Sequence, residues 1–181
     1  MSCDIGAGRL EPCKDSVGGI IAIYISNYTS GLLNAPANGG VSFGTDDEIT
    51  GFASPLTFYK YDLKGANSFE QTNENSRDNG TSFWTQTGTI VLKKQDLATR
   101  KELKLLSYGR PQIIVQDYNG NYFLAGIENG CECAANTATG ATMGDLNGYN
   151  ITFTGTEKQP AYFVDSTIIG DTTNTVIVVG T

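Results

Sequence analysis

The chain has 181 residues, enough for one domain with a real core, and its 39% hydrophobic content is that of a globular protein. Only 17% of residues are charged, 19 acidic against 12 basic, and a net charge of −7 argues against a surface that grips nucleic acid, because phosphate affinity comes from clustered Lys and Arg. With 22 glycines, many short apolar runs and little helical periodicity, the expected fold is mainly β: an antiparallel β-sandwich or barrel with one short α-helix and a long β-hairpin arm.

Residues 1–17 read as an irregular N-terminal arm, in which Cys3 and Cys13 bracket a Gly-rich bend and Pro12 discourages helix. No basic segment followed by an apolar one opens the chain, so no signal peptide is expected, and the longest apolar run, Ile20 to Ile25, is strand-sized. Synthesis in a cytoplasm and no membrane contact are the expectation. Residues 20–28 are apolar at most positions, which requires cover on both faces, from a second layer or from a neighbouring subunit. Residues 30–40 form a loop of small residues, followed by short strands at 41–43 and 48–52 around Asp46-Asp47.

The long hairpin follows. One arm runs over 56–63 and continues through 68–72, its partner covers 81–92, and the polar stretch 73–80 turns between them. Phe58, Lys60 and Asp62 alternate with Tyr59, Tyr61 and Leu63, and Phe83 alternates with Trp84. Such an arm either packs on its own domain or is covered by a partner. A helix is expected over 96–107, with Asp96 as N-cap and Gly109 to Pro111 as the stop. Ala98, Leu103, Leu105 and Leu106 make its apolar arc, and Arg100, Lys101 and Lys104 the opposite one. Glu102 falls within the apolar arc, either pairing with a base of another subunit or reaching water. Residues 113–125 fold back through Asn119-Gly120 as a two-residue hairpin, 134–147 read as a loop, and 148–157, 161–164 and 175–179 as strands. In 148–157 Tyr149, Ile151 and Phe153 alternate with Asn150, Thr152 and Thr154, which puts one face on a core.

No catalytic, cofactor-binding or metal site is expected. The absence of histidine excludes Ser-His-Asp and Cys-His centres and His-ligated zinc. The carboxylates Asp46, Asp47 and Glu48, and Glu11 with Asp15, sit in turn-like segments and read as solvated. Residues 140–145 lack the Lys-Ser/Thr of a phosphate loop. Cys3, Cys13, Cys131 and Cys133 lack paired CxxC spacings; they are candidates for a disulfide if the protein matures outside a reducing cell, and otherwise buried thiols.

Several stretches resemble virion structural proteins of tailed bacteriophages infecting Bacteroidetes-type hosts: Tyr59-Lys-Tyr-Asp-Leu-Lys-Gly65, Ser76-Arg-Asp-Asn-Gly-Thr81, Leu92-Lys-Lys94, Glu102-Leu-Lys-Leu-Leu106 and Gly144-Asp-Leu-Asn-Gly-Tyr149. The order of long hairpin, single helix, hairpin and closing strand is similar to the major tail tube protein. That resemblance implies a single tail-tube-like β domain over 1–181 that assembles into hexameric rings and a stacked tube. Its partners would be its own copies and other tail proteins, in the virion tail, with DNA passing an acidic lumen without specific binding. The inter-subunit contacts it implies are the hairpin tip (Asn73, Asn75, Arg77, Asp78, Asn79), the first strand (Ile21, Ile23, Ile25) and Glu102. A head-decoration or connector protein is the nearest rival. A carbohydrate-binding adhesin-like domain, with Trp84 as stacking platform, is the next.

Overall fold

Alternating apolar residues build two sheets that pack face to face in the computed structural model, which describes residues 7–11, 13–33 and 40–180. The strands are β1 (Ile20–Ser26), β2 (Val41–Phe43), β3 (Ile49–Phe52), β4 (Leu56–Asp62), β5 (Ser68–Ser76) and β6 (Thr81–Lys93). After the helix α1 (Leu97–Leu106) come β7 (Gln112–Asp117), β8 (Tyr122–Ala125), β9 (Cys131–Ala138), β10 (Gly148–Glu157), β11 (Tyr162–Val164) and β12 (Thr175–Val179). One sheet has the order β12-β4-β1-β7-β8-β11-β3-β2 and the other β5-β6-β10-β9. The smaller is antiparallel throughout, while β12 on β4 and β11 on β3 are parallel joins in the larger. The mainly β sandwich with one helix is therefore the fold expected.

The eight-stranded sheet curls without closing, which explains why β1 is apolar on both faces. Ile23 and Ile25, with Ile113 and Val115, face the smaller sheet and pack on its Ile151 and Phe153. Ala22 and Tyr24 face into the curl with Phe58, Ile114 and Leu124. The curl brings Phe52 of β3 against Phe58 of β4, ring centroids 6.2 Å apart, and Asn174 Oδ1 accepts from the Phe52 amide at 2.9 Å.

The expected single arm over 56–72 belongs to two sheets. β4 pairs with β1 and β12, whereas β5 pairs with β6, and the chain crosses between them at Gly65, which takes φ 107°. Asn67 is buried at the crossing; its Oδ1 accepts from the Val91 amide at 2.8 Å and its Nδ2 donates to Gly65 O at 3.3 Å. The hairpin is β5–β6, and its turn is 77–80 rather than 73–80. Strand pairing persists to Ser76↔Thr81 because a side-chain ladder stiffens the arm: Ser82 Oγ donates to Asn75 Oδ1 at 2.7 Å and Asn73 Nδ2 to Phe83 O at 3.3 Å.

Two further differences have local causes. The β7–β8 loop spans 118–121 instead of two residues, because the Asp117 carboxylate accepts from the Asn119 and Asn121 amides at 2.9 and 2.7 Å and only Gly120 takes positive φ. The expected loop 134–147 is strand as far as Ala138, since β9 pairs along β10 from Cys131 to there. In the remaining loop Asp145 Oδ2 accepts from the Ala141 and Thr142 amides, both at 2.8 Å, so the N–H groups a phosphate would need are already taken.

Candidate assembly surfaces

The sites expected from sequence separate into buried and exposed sets. Ile23 and Ile25 are buried in the chain's own core, Ile25 at the floor of the groove beside Tyr59 and Leu105. Ile21 is different. The β1–β7 register slips between Ile20 and Ala22, so Ile21 is the extra residue of a bulge and stands 39% exposed, while Ile20 takes its place in the core. The bulge therefore separates Ile21 from Ile23 and Ile25, which the resemblance named together as contacts.

At the hairpin, Arg77, Asp78 and Asn79 form the exposed turn, Asn73 and Asn75 belong to β5, and Asn79 N donates to Ser76 Oγ at 3.3 Å. The smaller sheet reaches β10 only as far as Trp84↔Glu157, so the arm projects past it by the pairs from Glu74↔Phe83 outward. Trp84 is half-buried between its cross-strand neighbours Asn73 and Glu157 instead of standing as an open platform.

Helix α1 begins where expected: Asp96 Oδ2 accepts from the Thr99 amide at 3.2 Å, and those hydrogen bonds hold its carboxyl below the usual range. Tyr149 Oη also donates to Asp96 O at 3.0 Å, tying the helix start to β10. The expected apolar arc is only partly used. Leu103 is buried and Leu106 half-buried, but Ala98 and Leu105 face solvent, because the helix rests on the margin of the smaller sheet and overhangs it. Glu102 borders the groove between α1 and β4, beside Tyr59 and Tyr61, with no ion partner among the described residues.

The C-terminal strand β12 was missed as a surface. It is an outer strand of the larger sheet, hydrogen-bonded only to β4. Val176 and Val178 are each 41% exposed and Val179 60%. Edge strands are ordinarily guarded by Lys, Pro or a bulge, and β12 has none. The run of β-branched residues was readable in the sequence, but its edge position depends on β4 and β1, which are distant in the chain.

No disulfide joins the thiols of the described residues. Cys13 is exposed, Cys131 buried and Cys133 half-buried, all free, and Cys3 lies outside the described residues. Burial between the sheets raises both inner thiols, Cys133 to about 12. The described residues hold no group of three or more His, Cys, Asp and Glu placed to bind a metal, and no helix among them is long and apolar enough to cross a membrane.

Glu157 is the one buried carboxylate with an orphaned oxygen among the described residues. Its Oε1 accepts from the Glu128 and Asn129 amides at 3.2 and 2.8 Å, and its Oε2 has no partner. Burial raises its pKa against those two hydrogen bonds. Folding therefore favours the protonated form: the stabilisation is complete below the ordinary carboxylate pKa and is lost as pH rises through the raised value. The urea midpoint of the wild type should fall relative to that of Glu157→Gln as pH rises above the ordinary glutamate value of about 4.3. Parallel curves would contradict this placement.

Neither a family model, nor a curated protein, nor a solved structure matches the chain.

Proposed function

We propose that this chain is a structural subunit that assembles with copies of itself, in the manner of a phage tail tube protein, into stacked rings that conduct DNA. The observation that carries the reading is β12, an uncharged outer strand with exposed valines, whose free edge another chain would complete. The polar arm ending at Arg77, Asp78 and Asn79 supplies a second projecting surface, suited to contact between rings. Glu102 and the exposed Leu105 beside β4 add a third. All of these are surfaces, and the function needs no reactive centre.

Replacing Val176 and Val178 together by Lys places two charges on the edge while leaving the core untouched. The variant should keep the wild-type circular dichroism and lose the ability to form rings or filaments seen by negative-stain microscopy. Rings of wild-type appearance from this variant would remove β12 from the account.

A further inference from the structure

Two grooves on opposite margins of the smaller sheet carry opposite charge. The first lies between α1 and β9 and is lined by Arg100, Lys101 and Lys104, with Leu97 beside them 83% exposed. It includes no carboxylate. Residues 93–104 hold five of the 12 cations and two of the 19 carboxylates, so this stretch is net positive in a chain of net charge −7. The second groove lies at the β5 margin, among β2, β8 and β11. Asp46, Asp47 and the rings of Phe43, Phe123, Tyr162 and Phe163 line it, without a cation. Two aromatic pairs line it: Phe123 and Phe163 have centroids 4.7 Å apart, and Phe43 and Tyr162 5.1 Å. Phe43 and Phe163 remain exposed. The two ion pairs among the described residues are Lys60–Asp62 and Lys158–Glu128, so the charges of both grooves are unmatched among those residues.

We propose that α1 of one copy seats in the acidic aromatic groove of the next, Arg100 and Lys104 meeting Asp46 and Asp47 while Leu97 packs on the phenylalanines. This contact rests on the self-assembly reading and gives it a specific interface. Carboxylates beside aromatic faces suit guanidinium and ammonium groups, which gain both ion pairing and cation–π attraction there. A nucleic acid would satisfy the cations but leave the exposed leucine and the matching acidic groove without a role. Because the two patches share no residue and occupy opposite margins, the contact is heterologous. Each added copy presents a fresh groove, so growth proceeds to a closed ring or an open filament.

The test uses two charge-reversed forms of the full chain. One carries Arg100→Glu with Lys104→Glu, on one exposed helix face. The other carries Asp46→Lys with Asp47→Asn; asparagine is chosen because Asp47 has φ 58°, which Asn tolerates. Each alone should raise the concentration at which light scattering detects association by about tenfold or more. An equimolar mixture should restore assembly, since every helix then finds a groove of opposite charge. Wild-type assembly by either form alone, or failure of the mixture to recover, would overturn this interface while leaving self-assembly standing. Wild-type protein that stays solitary at every concentration would remove the self-assembly reading itself. Duplex DNA retained by a solitary wild type, and lost in the helix-reversed form, would reassign the basic groove to a polyanion.

Discussion

Gly88→Ala should lower the stability of the folded chain by about 3 kcal/mol, at the upper end of what overpacking a core costs. Gly88 in β6 is flanked by Phe69 on β5 and Phe153 on β10, its partners in both ladders. The two rings stack over the missing side chain with centroids 6.0 Å apart and planes 25° apart. A Cβ at position 88 would stand 2.1 Å from Phe153 Cε1 and 2.2 Å from Cζ. Phe153 is fully buried among Ile90, Ile151 and Cys131, so its ring has nowhere to retreat. For a chain of this size the loss corresponds to a melting temperature lower by about 6–12 °C. Adding Phe153→Leu should recover part of it, giving a double-mutant cycle well short of additive. A Gly88→Ala protein that melts with the wild type would contradict the stacking of Phe69 and Phe153 over Gly88.

Gln112→Leu should cost roughly 3 kcal/mol, for a different reason: nearly the same volume, but orphaned backbone. Gln112 opens β7 and is fully buried. Its Nε2 donates to Thr29 O at 3.1 Å and Ile127 O at 3.0 Å, and its Oε1 accepts from the Thr29 amide at 3.2 Å. One side chain thus holds the end of β1 and the β8–β9 connection together. Leucine fills the space and leaves three backbone groups without partners, each carrying a desolvation penalty of about 1–3 kcal/mol, relieved in part where water reaches them. Urea denaturation followed by tryptophan fluorescence measures the effect; a midpoint within error of the wild type would show that the carbonyls and amide find water without strain.

What the sequence made legible is what local chemistry decides. The alternation of Tyr149, Ile151 and Phe153 named the buried face of β10, all three lying in the core between the sheets. Asp96 marked the start of α1 through a contact three residues long. The errors arise where a residue's role depends on distant partners. Nothing local says that Leu63 and Ser68 belong to different sheets; Asn67, bonded to Val91, decides it. Nothing local says that β1 bulges at Ile21, since the register is set against β7. The helix arc was right in angle and wrong in extent, because the surface beneath α1 ends before Ala98 and Leu105 are covered. The helical period grouped Arg100, Lys101 and Lys104 on one face, but that this face lines a groove without a carboxylate depends on β9, distant in the chain.

The central claim is that exposed edges and grooves of this chain are completed by other copies of it. Light scattering on purified full-length protein across a concentration series, with negative-stain images of the same samples, tests this most directly. The account predicts a mass that climbs with concentration and falls with added salt, accompanied by rings or filaments. A single monomeric mass throughout, with no assembled particle in any image, would contradict it.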